Sequence, residues 1–138
     1  MNRLAIVTTT YKNDLEWCRI LCKSIDRFVP DGIMHYLFVE ERDIGLFRGL
    51  ENERRRIISQ KEIIPWWMLR IPFRIGGHNF RISPVTLPVR GWIAQKVVKL
   101  GIFEVLDEDV FLCLDSEAFF FRPFDPSSLF MGEKVMMV

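Results

Sequence analysis

The sequence lacks the features that mark a membrane-spanning, secreted or nucleic-acid-binding protein. It has no run of about 18 or more apolar residues, and no small-residue cleavage site follows the short apolar run at the N-terminus. We therefore expect a cytoplasmic protein. The 138 residues carry a formal net charge of only +1, so the positive field that holds nucleic acid is missing and we expect no nucleic-acid partner. The local cluster of Arg54, Arg55 and Arg56 is interpreted as a solvated face.

Cysteine and histidine are also scarce, which argues against a metal centre built from these residues. A site made from the three cysteines would need a fourth ligand that their spacing does not offer. Cys18 and Cys22 lie one helical turn apart on an apolar stripe, and Cys113 lies within an apolar strand, so we predict buried, reduced thiols. His35 and His78 are expected to be structural or exposed.

The chain does contain enough apolar residues, 49% of the total, to bury a sizeable core. The β-branched run from Leu4 to Thr9 predicts a buried strand. A helix capped by Asn13 follows from Asp14 to Phe28, and "PDG" at Pro30 to Gly32 ends it. A second strand from Met34 to Val39 completes a βαβ unit, because parallel strands require such a crossover connection.

The rest of the chain predicts further elements of the same α/β kind. They are a short helix at 44–50, a strand at 57–64, a long irregular loop at 65–90, an amphipathic helix at 91–103 and a strand at 110–114. The last strand is uniformly apolar, so we expect it in the middle of a sheet covered on both faces. Residues 1–138 are thus predicted to form a single domain, a Rossmann-like α/β/α sandwich with a mostly parallel sheet.

Two carboxylates, Asp115 and Glu117, follow the last predicted strand with only Ser116 between them. Parallel sheets bind ligands at the carboxyl ends of their strands, which is where this pair lies. Hard divalent cations such as Mn²⁺ or Mg²⁺ take carboxylate oxygens and keep positions open for substrate phosphates, so the motif indicates a metal bridge to a diphosphate. Acidic residues after a strand also serve as turn formers or helix caps, and both interpretations stay open.

Four segments of the sequence, taken together, carry a family resemblance. They are "LAIVTTTYKNDLEWCRILCKSIDRF", "HYLFVEERD", "GWIAQKVVKL" and "DVFLCLDSEAFFFRPFD". Together they resemble the nucleotide-binding half of GT-A glycosyltransferases. They are most similar to a bacterial group of uncharacterised, glycosyltransferase-like proteins with a G-W-x-x-Q-x-x-K-L helix before an L-D-S-D strand end. The resemblance covers most of the chain; it is loosest from Asn52 to Arg90 and strongest from Gly91 to Asp125.

This resemblance implies a donor site for a nucleotide diphospho-sugar that is held through a divalent metal, Mn²⁺ or Mg²⁺. The implied nucleotide contacts are Thr8, Thr9, Thr10, Tyr11, Glu40 to Asp43, Gln95, Lys99, Asp115 and Ser116. The D-x-D element, here Asp115 to Glu117, would hold the metal and the ribose, with a glutamate of longer reach at its third position. A solvated helix face explains Lys99 equally well. The implied activity is glycosyl transfer. The sequence does not identify the acceptor, and a cell-surface glycan and a lipid-linked sugar are the candidates considered.

Alternatives to a complete glycosyltransferase stay open. The chain stops where the acceptor-binding half of a GT-A domain normally follows, so we expect a truncated product or an N-terminal fragment. Such a remnant would bind a nucleotide without catalysis, or form a homodimer through an exposed sheet edge. A nucleotidyltransferase shares the fold, but "TTTYKND" lacks the glycines that its loop usually shows after the first strand.

The stretch from residue 65 to residue 90 concentrates aromatic, basic and glycine residues. They include Trp66, Trp67, Arg70, Arg74, Gly76, Gly77 and Arg81. In one interpretation the stretch is a lid over the donor, with the arginines on phosphate and the glycines as hinge. In a second, the tryptophans contact a membrane surface, which would place the protein peripherally at the inner membrane face. In a third, they pack over a sheet edge.

Overall fold

A four-stranded parallel sheet forms the centre of the fold. The computed structural model describes residues 3–62, 69–70, 80–82, 89–90, 101–102, 105–132 and 134–135. In chain order its strands and α-helices are β1 (Leu4–Thr10), α1 (Leu15–Phe28), β2 (Met34–Val39), α2 (Ile44–Phe47), β3 (Arg55–Ser59), β4 (Leu69–Arg70), β5 (Phe80–Ile82), β6 (Val89–Arg90), β7 (Val110–Cys113), β8 (Phe130–Met131) and β9 (Lys134–Val135). The parallel sheet has the order β3-β2-β1-β7, whereas β4, β5 and β6 form a small antiparallel sheet and β8 pairs with β9.

Strand β1 lies inside the sheet, with a parallel neighbour on each side. Its register starts from Ala5 opposite Met34 on β2 and from Leu4 opposite Val110 on β7. Every residue of β1 after Leu4 is buried. The continuous run of apolar and β-branched residues is therefore that of a parallel strand covered on both faces.

Helix α1 supplies the crossover between β1 and β2. It buries a stripe that includes Cys18, Leu21 and Ile25, at the spacing that the sequence predicts. After the helix, Gly32 takes a φ of +92°, a left-handed conformation that would strain any other residue. The "PDG" turn thus ends the helix as predicted.

Helical residues cover both faces of the sheet. Ile6 packs with Leu21 of α1, whereas the next residue of the strand, Val7, packs on the opposite face with Phe38 and Ile102. Successive side chains of a strand point to opposite faces, so these contacts belong to two separate layers. Because Ile102 lies in a helical stretch, the predicted Rossmann-like α/β fold, with a mostly parallel sheet and helices on both faces, is confirmed.

Strand β7 differs from its prediction as a central strand. Within the described residues it is an edge strand of the parallel sheet, and its Cys113 is exposed, so the prediction of a buried thiol there is wrong. Leu112 and Phe111 pack into the layers on the two opposite faces of the sheet. The strand is therefore apolar because both faces of the sheet are covered there, although only one of its two edges is paired within the described residues. Cys18 and Cys22 are buried and free, as predicted.

The middle of the chain departs most from prediction. The third strand occupies Arg55–Ser59 instead of 57–64, because it starts on an inward-facing arginine that an apolar pattern does not reveal. The stretch predicted as an irregular loop at 65–90 contains β4, β5 and β6, so that prediction is wrong for those residues. Of the helix predicted at 91–103, the structure describes residues 101 and 102, which are helical. The rest of this helix lies outside the described residues. So do five residues of the lid hypothesis: Trp66, Trp67, Arg74, Gly76 and Gly77.

Arg55 contradicts the interpretation of the arginine cluster as a solvated face. Its side chain is 2% exposed, and its guanidinium donates to both carboxylate oxygens of Asp26, at 2.9 and 3.4 Å. It also donates to the carbonyls of Cys22 and Leu50 and to Nδ1 of His35. An ion pair and hydrogen bonds thus replace the water shell of the buried charge.

This network holds His35 in one neutral tautomer. Its Nδ1 accepts from Arg55 at 2.9 Å, so its Nε2 carries the proton and donates to Oγ1 of Thr8 at 3.1 Å. Burial, and then the positive charge of Arg55, lowers the pKa of His35 to about 3. His35 is therefore structural, one of the two roles expected for it.

We expect the free energy of unfolding to decrease as the pH is lowered below about 6.5, with a limiting slope of about 1.4 kcal/mol per pH unit. The unfolded chain binds a proton at His35 in this range, whereas the folded chain excludes it down to about pH 3. The stability contributed by the neutral ring is complete above the unfolded pKa and is lost as the pH falls. Urea unfolding between about pH 7 and about pH 5 measures the slope. His35→Asn keeps an acceptor for Arg55 without the titration, and the same slope in that variant would contradict the assignment.

Candidate functional site

The strand order places a topological switch point between β1 and β7. From β1 the chain moves through α1 to β2 and then to β3 on one side, and it returns later to β7 on the other side of β1. Open α/β sheets bind their ligands outside the carboxyl ends of the strands, at the point where the strand order reverses. The carboxyl ends of β1 and β7 are therefore the candidate site.

The D-x-E turn, residues 115–117, lies beside the end of β1. Strand β7 ends with Cys113 opposite Val7, and the N–H of Leu114 donates to the carbonyl of Val7 at 2.9 Å, so the turn begins next to the last residues of β1. Asp115 and Glu117 are both exposed. The two predicted metal ligands thus stand at the ligand-binding edge of the sheet, on its surface.

A hydrogen bond ties the D-x-E turn to the start of α1. Ser116 is 4% exposed, and its Oγ donates to Oδ2 of Asp14 at 3.1 Å. Asp14 is the N-cap of α1, where Asn13 was predicted, because a short 3₁₀ turn at Lys12–Asp14 precedes the helix. Its side chain makes no capping bond with the helix. The central residue of the motif therefore fixes the turn, while both carboxylates of the motif stay exposed.

We expect Ser116→Ala to lower the free energy of unfolding by about 1 kcal/mol, because a partly buried hydrogen bond is lost. Asp14→Ala removes the same bond. The two changes together should therefore destabilise by about 1 kcal/mol less than the sum of the single changes. Urea unfolding of the wild type, both single variants and the double variant measures this coupling, and strictly additive losses would contradict the contact.

The loop after β2 contains a buried carboxylate, Asp43. Asp43 is 3% exposed; its Oδ2 accepts the backbone N–H of Lys12 at 3.1 Å, and its Oδ1 lies 3.9 Å from Nε of Arg42. Glu40 accepts from the same Nε at 3.1 Å. Asp43 thus fastens the loop after β1 to the loop after β2.

Gln60 links the carboxyl ends of β1, β2 and β3 through hydrogen bonds. It directly follows β3 and is 3% exposed, and its Nε2 donates to the carbonyl of Phe38 at 3.2 Å and to that of Thr10 at 3.5 Å. Three adjacent strand ends are therefore held in fixed positions, as a preorganised binding site requires.

The threonines at the end of β1 are packed into the fold. Thr8 and Thr10 are fully buried and Thr9 is 6% exposed. The hydroxyl of Thr8 accepts the hydrogen bond from Nε2 of His35. Tyr11 is half-buried, so it is the first side chain of the loop after β1 that a ligand could reach.

Metal coordination at this edge would rest on Asp115 and Glu117. Over the described ranges, no three His, Cys, Asp or Glu side chains are grouped so as to hold a metal ion. Mg²⁺ is typically bound through one or two carboxylates, and substrate phosphates and water complete its shell, so an exposed pair fits this chemistry. Gln95 and Lys99, which were expected at the diphosphate, lie outside the described residues.

Comparison with known proteins shows that residues 3–138 match a family model. The chain belongs to DUF6492. This family is described as one of unknown function. No curated protein and no solved structure matches the chain. In the part of the DUF6492 chain that the structure describes, no helix has the length and apolar character needed to cross a membrane.

Two residues that shape the candidate site, Asp14 and Gln60, were not predicted from the sequence. The signal for Asp14 is its position, because a carboxylate in the loop after a buried parallel strand lies at the ligand-binding edge of the sheet. Gln60 gives no such signal, since its amide bonds to backbone carbonyls that a side-chain pattern does not show.

Proposed function

We propose that this DUF6492 chain binds a nucleotide diphospho-sugar outside the carboxyl ends of β1 and β7 and acts as a glycosyltransferase. The observation that carries the proposal is the hydrogen bond from Ser116 to Asp14, which holds the D-x-E turn against the start of α1 at the switch point. Asp115 and Glu117 are thereby exposed where sheets of this kind bind their ligands.

In this proposal Asp115 and Glu117 hold the divalent metal, Mn²⁺ or Mg²⁺. Such an ion, when bound, neutralises the charge that develops on the leaving diphosphate. Ser116 contributes no ligand but keeps the turn in place through Asp14. Glu117 is one methylene longer than the aspartate of a D-x-D element, and its carboxylate would supply the same kind of oxygen ligand.

The nucleoside is assigned to the loops that follow β1 and β2. Tyr11 and Glu40 are half-buried at these strand ends, and we assign them to the base and the ribose. The buried carboxylate of Asp43 links the loop after β1 to the loop after β2 before a ligand arrives, which reduces the entropic cost of ordering these loops on binding. Gln95 and Lys99 are assigned to the diphosphate on the family resemblance alone.

Calorimetric titration with uridine diphosphate and guanosine diphosphate, with and without manganese, tests the proposal. We expect saturable binding of at least one of them that requires the metal. A chain that is folded by circular dichroism and binds neither nucleotide would contradict it. Incubation with the matching nucleotide sugar then tests for release of the nucleoside diphosphate. Binding without release would favour the non-catalytic alternative.

A further inference from the structure

Four large apolar side chains are exposed on α1 and on the segment after the D-x-E turn. Trp17 and Ile20 lie on α1 with 54% and 48% of their surface exposed, and Phe119 and Phe121 are 60% and 74% exposed. We call these four residues the aromatic face. Large apolar side chains grouped on a surface mark an interaction site.

Two hydrogen bonds lay the segment after the D-x-E turn along α1. Oγ of Ser24 accepts the N–H of Phe120 at 3.0 Å, and the carbonyl of Phe28 accepts the N–H of Phe124 at 2.9 Å. Ser24 follows Trp17 by about two helical turns, so both lie on the same side of α1. The exposed side chains of the segment therefore continue those of α1 as one surface.

Basic side chains border the aromatic face. Lys23 and Arg27 follow Ile20 at helical spacing, and both are exposed. The guanidinium of Arg122 lies 5.6 Å from the centre of the Phe121 ring. Within the described residues none of these three cations forms an ion pair.

The acidic side chains of α1 do not cancel this charge. Glu16 pairs with Arg19 at 2.8 Å, and Asp26 pairs with the buried guanidinium of Arg55 at 2.9 Å. The other carboxylates near the face lie at the two ends of the segment. They are Asp14, Asp115 and Glu117 at one end and Asp125 at the other. The middle of the aromatic face is therefore bordered by positive charge.

We propose that the aromatic face docks on a membrane surface that contains anionic phospholipids. Aromatic side chains settle at the level of lipid headgroups, and flanking lysine and arginine side chains attract lipid phosphates. Because the cations border the rings, the rings enter the interface while the charges remain at the phosphates. A protein partner would need carboxylates matched to three cations, whereas anionic lipid supplies that charge without matched positions. The proposal does not rely on Trp66 and Trp67, and docking does not require a nucleotide at the switch point.

Sedimentation with lipid vesicles tests the proposal. We expect the chain to pellet with vesicles of phosphatidylcholine mixed with phosphatidylglycerol and to stay in the supernatant with phosphatidylcholine alone. High salt should weaken the binding, because it screens the attraction between the cations and the headgroups. Failure to bind the mixed vesicles at low salt, or equal binding to both compositions, would overturn the proposal.

Paired variants separate the aromatic face from the rest of the surface. Phe119→Ser with Phe121→Ser should weaken partitioning at least about tenfold. Lys23→Gln with Arg122→Gln should weaken it by about tenfold to 30-fold. These positions are exposed, so circular dichroism should show unchanged folding.

Matched controls change exposed side chains elsewhere on the surface. They are Leu46→Ser, at an apolar residue that is 53% exposed on α2, and Arg48→Gln with Arg56→Gln. All should bind vesicles as the wild type does, and losses as large as those of the paired variants would overturn the proposal. Light scattering provides the last test. A dimer that dissociates when the aromatic face is changed would show that a second copy covers it, and would also overturn the proposal.

Discussion

Replacing Arg55 with alanine is expected to lower the free energy of unfolding by about 3 kcal/mol. The change removes a fully buried side chain and leaves the carbonyls of Cys22 and Leu50 and Nδ1 of His35 without their donor. Asp26 also loses its partner, but this carboxylate is 42% exposed and water solvates it. The loss therefore falls at the lower end of the range for broken buried ion pairs. Urea unfolding at neutral pH measures it.

Arg56→Ala is the matched control for this prediction. Arg56 is the next residue of β3 and carries the same charge, but its side chain points to the opposite face and is exposed. We expect its replacement to change the free energy of unfolding by less than about 0.5 kcal/mol. Equal losses at the two positions would contradict a structural role for the buried guanidinium.

Replacing Asp115 with asparagine and Glu117 with glutamine should weaken manganese-dependent binding of the nucleoside diphosphate at least about 100-fold. Changes to groups that only orient metal ligands typically reduce metal affinity by about 10–100-fold. The loss of both charged ligands should therefore reduce the affinity by at least the upper end of this range. Both side chains are exposed, so the free energy of unfolding should stay within about 0.5 kcal/mol of the wild type. Calorimetric titration and urea unfolding of the same preparation measure the two quantities.

Asp31→Asn with Glu53→Gln is the matched control for the double variant. It removes the same charge from two exposed carboxylates that precede β2 and β3, at the amino ends of these strands. We expect its nucleotide affinity to equal that of the wild type. A loss as large as that of the Asp115 and Glu117 variant would assign the effect to net charge and would remove both residues from the site.

The elements that the sequence predicts best are those encoded by local patterns. Strand β2 has the predicted bounds, Met34–Val39, and α1 lies within one residue of its prediction. A buried stripe at helical spacing and a continuous apolar strand are visible in neighbouring residues alone. The position of the D-x-E turn at a strand end follows from the same kind of pattern, because a run of apolar residues leads directly into it.

The features that the sequence could not predict depend on contacts between distant residues. Arg55 looks like a surface arginine until Asp26, on another element, is seen to pair with it. Cys113 lies in an apolar run, but its exposure depends on the sheet order. The contact of Ser116 with Asp14 spans about a hundred residues of chain and exists only because β1 and β7 are neighbours.

Paramagnetic broadening by Mn²⁺, measured on the backbone amide signals of the nitrogen-15-labelled chain with nucleoside diphosphate present, tests the central claim most directly. The claim is that the ligand binds at the switch point. The account predicts selective loss of the amide signals at Tyr11 to Asp14 and at Asp115 to Ala118, with those of Gly32 and Asn52, at the amino end of the sheet, retained. Broadening centred on the amino end, or no selective broadening at all, would contradict it.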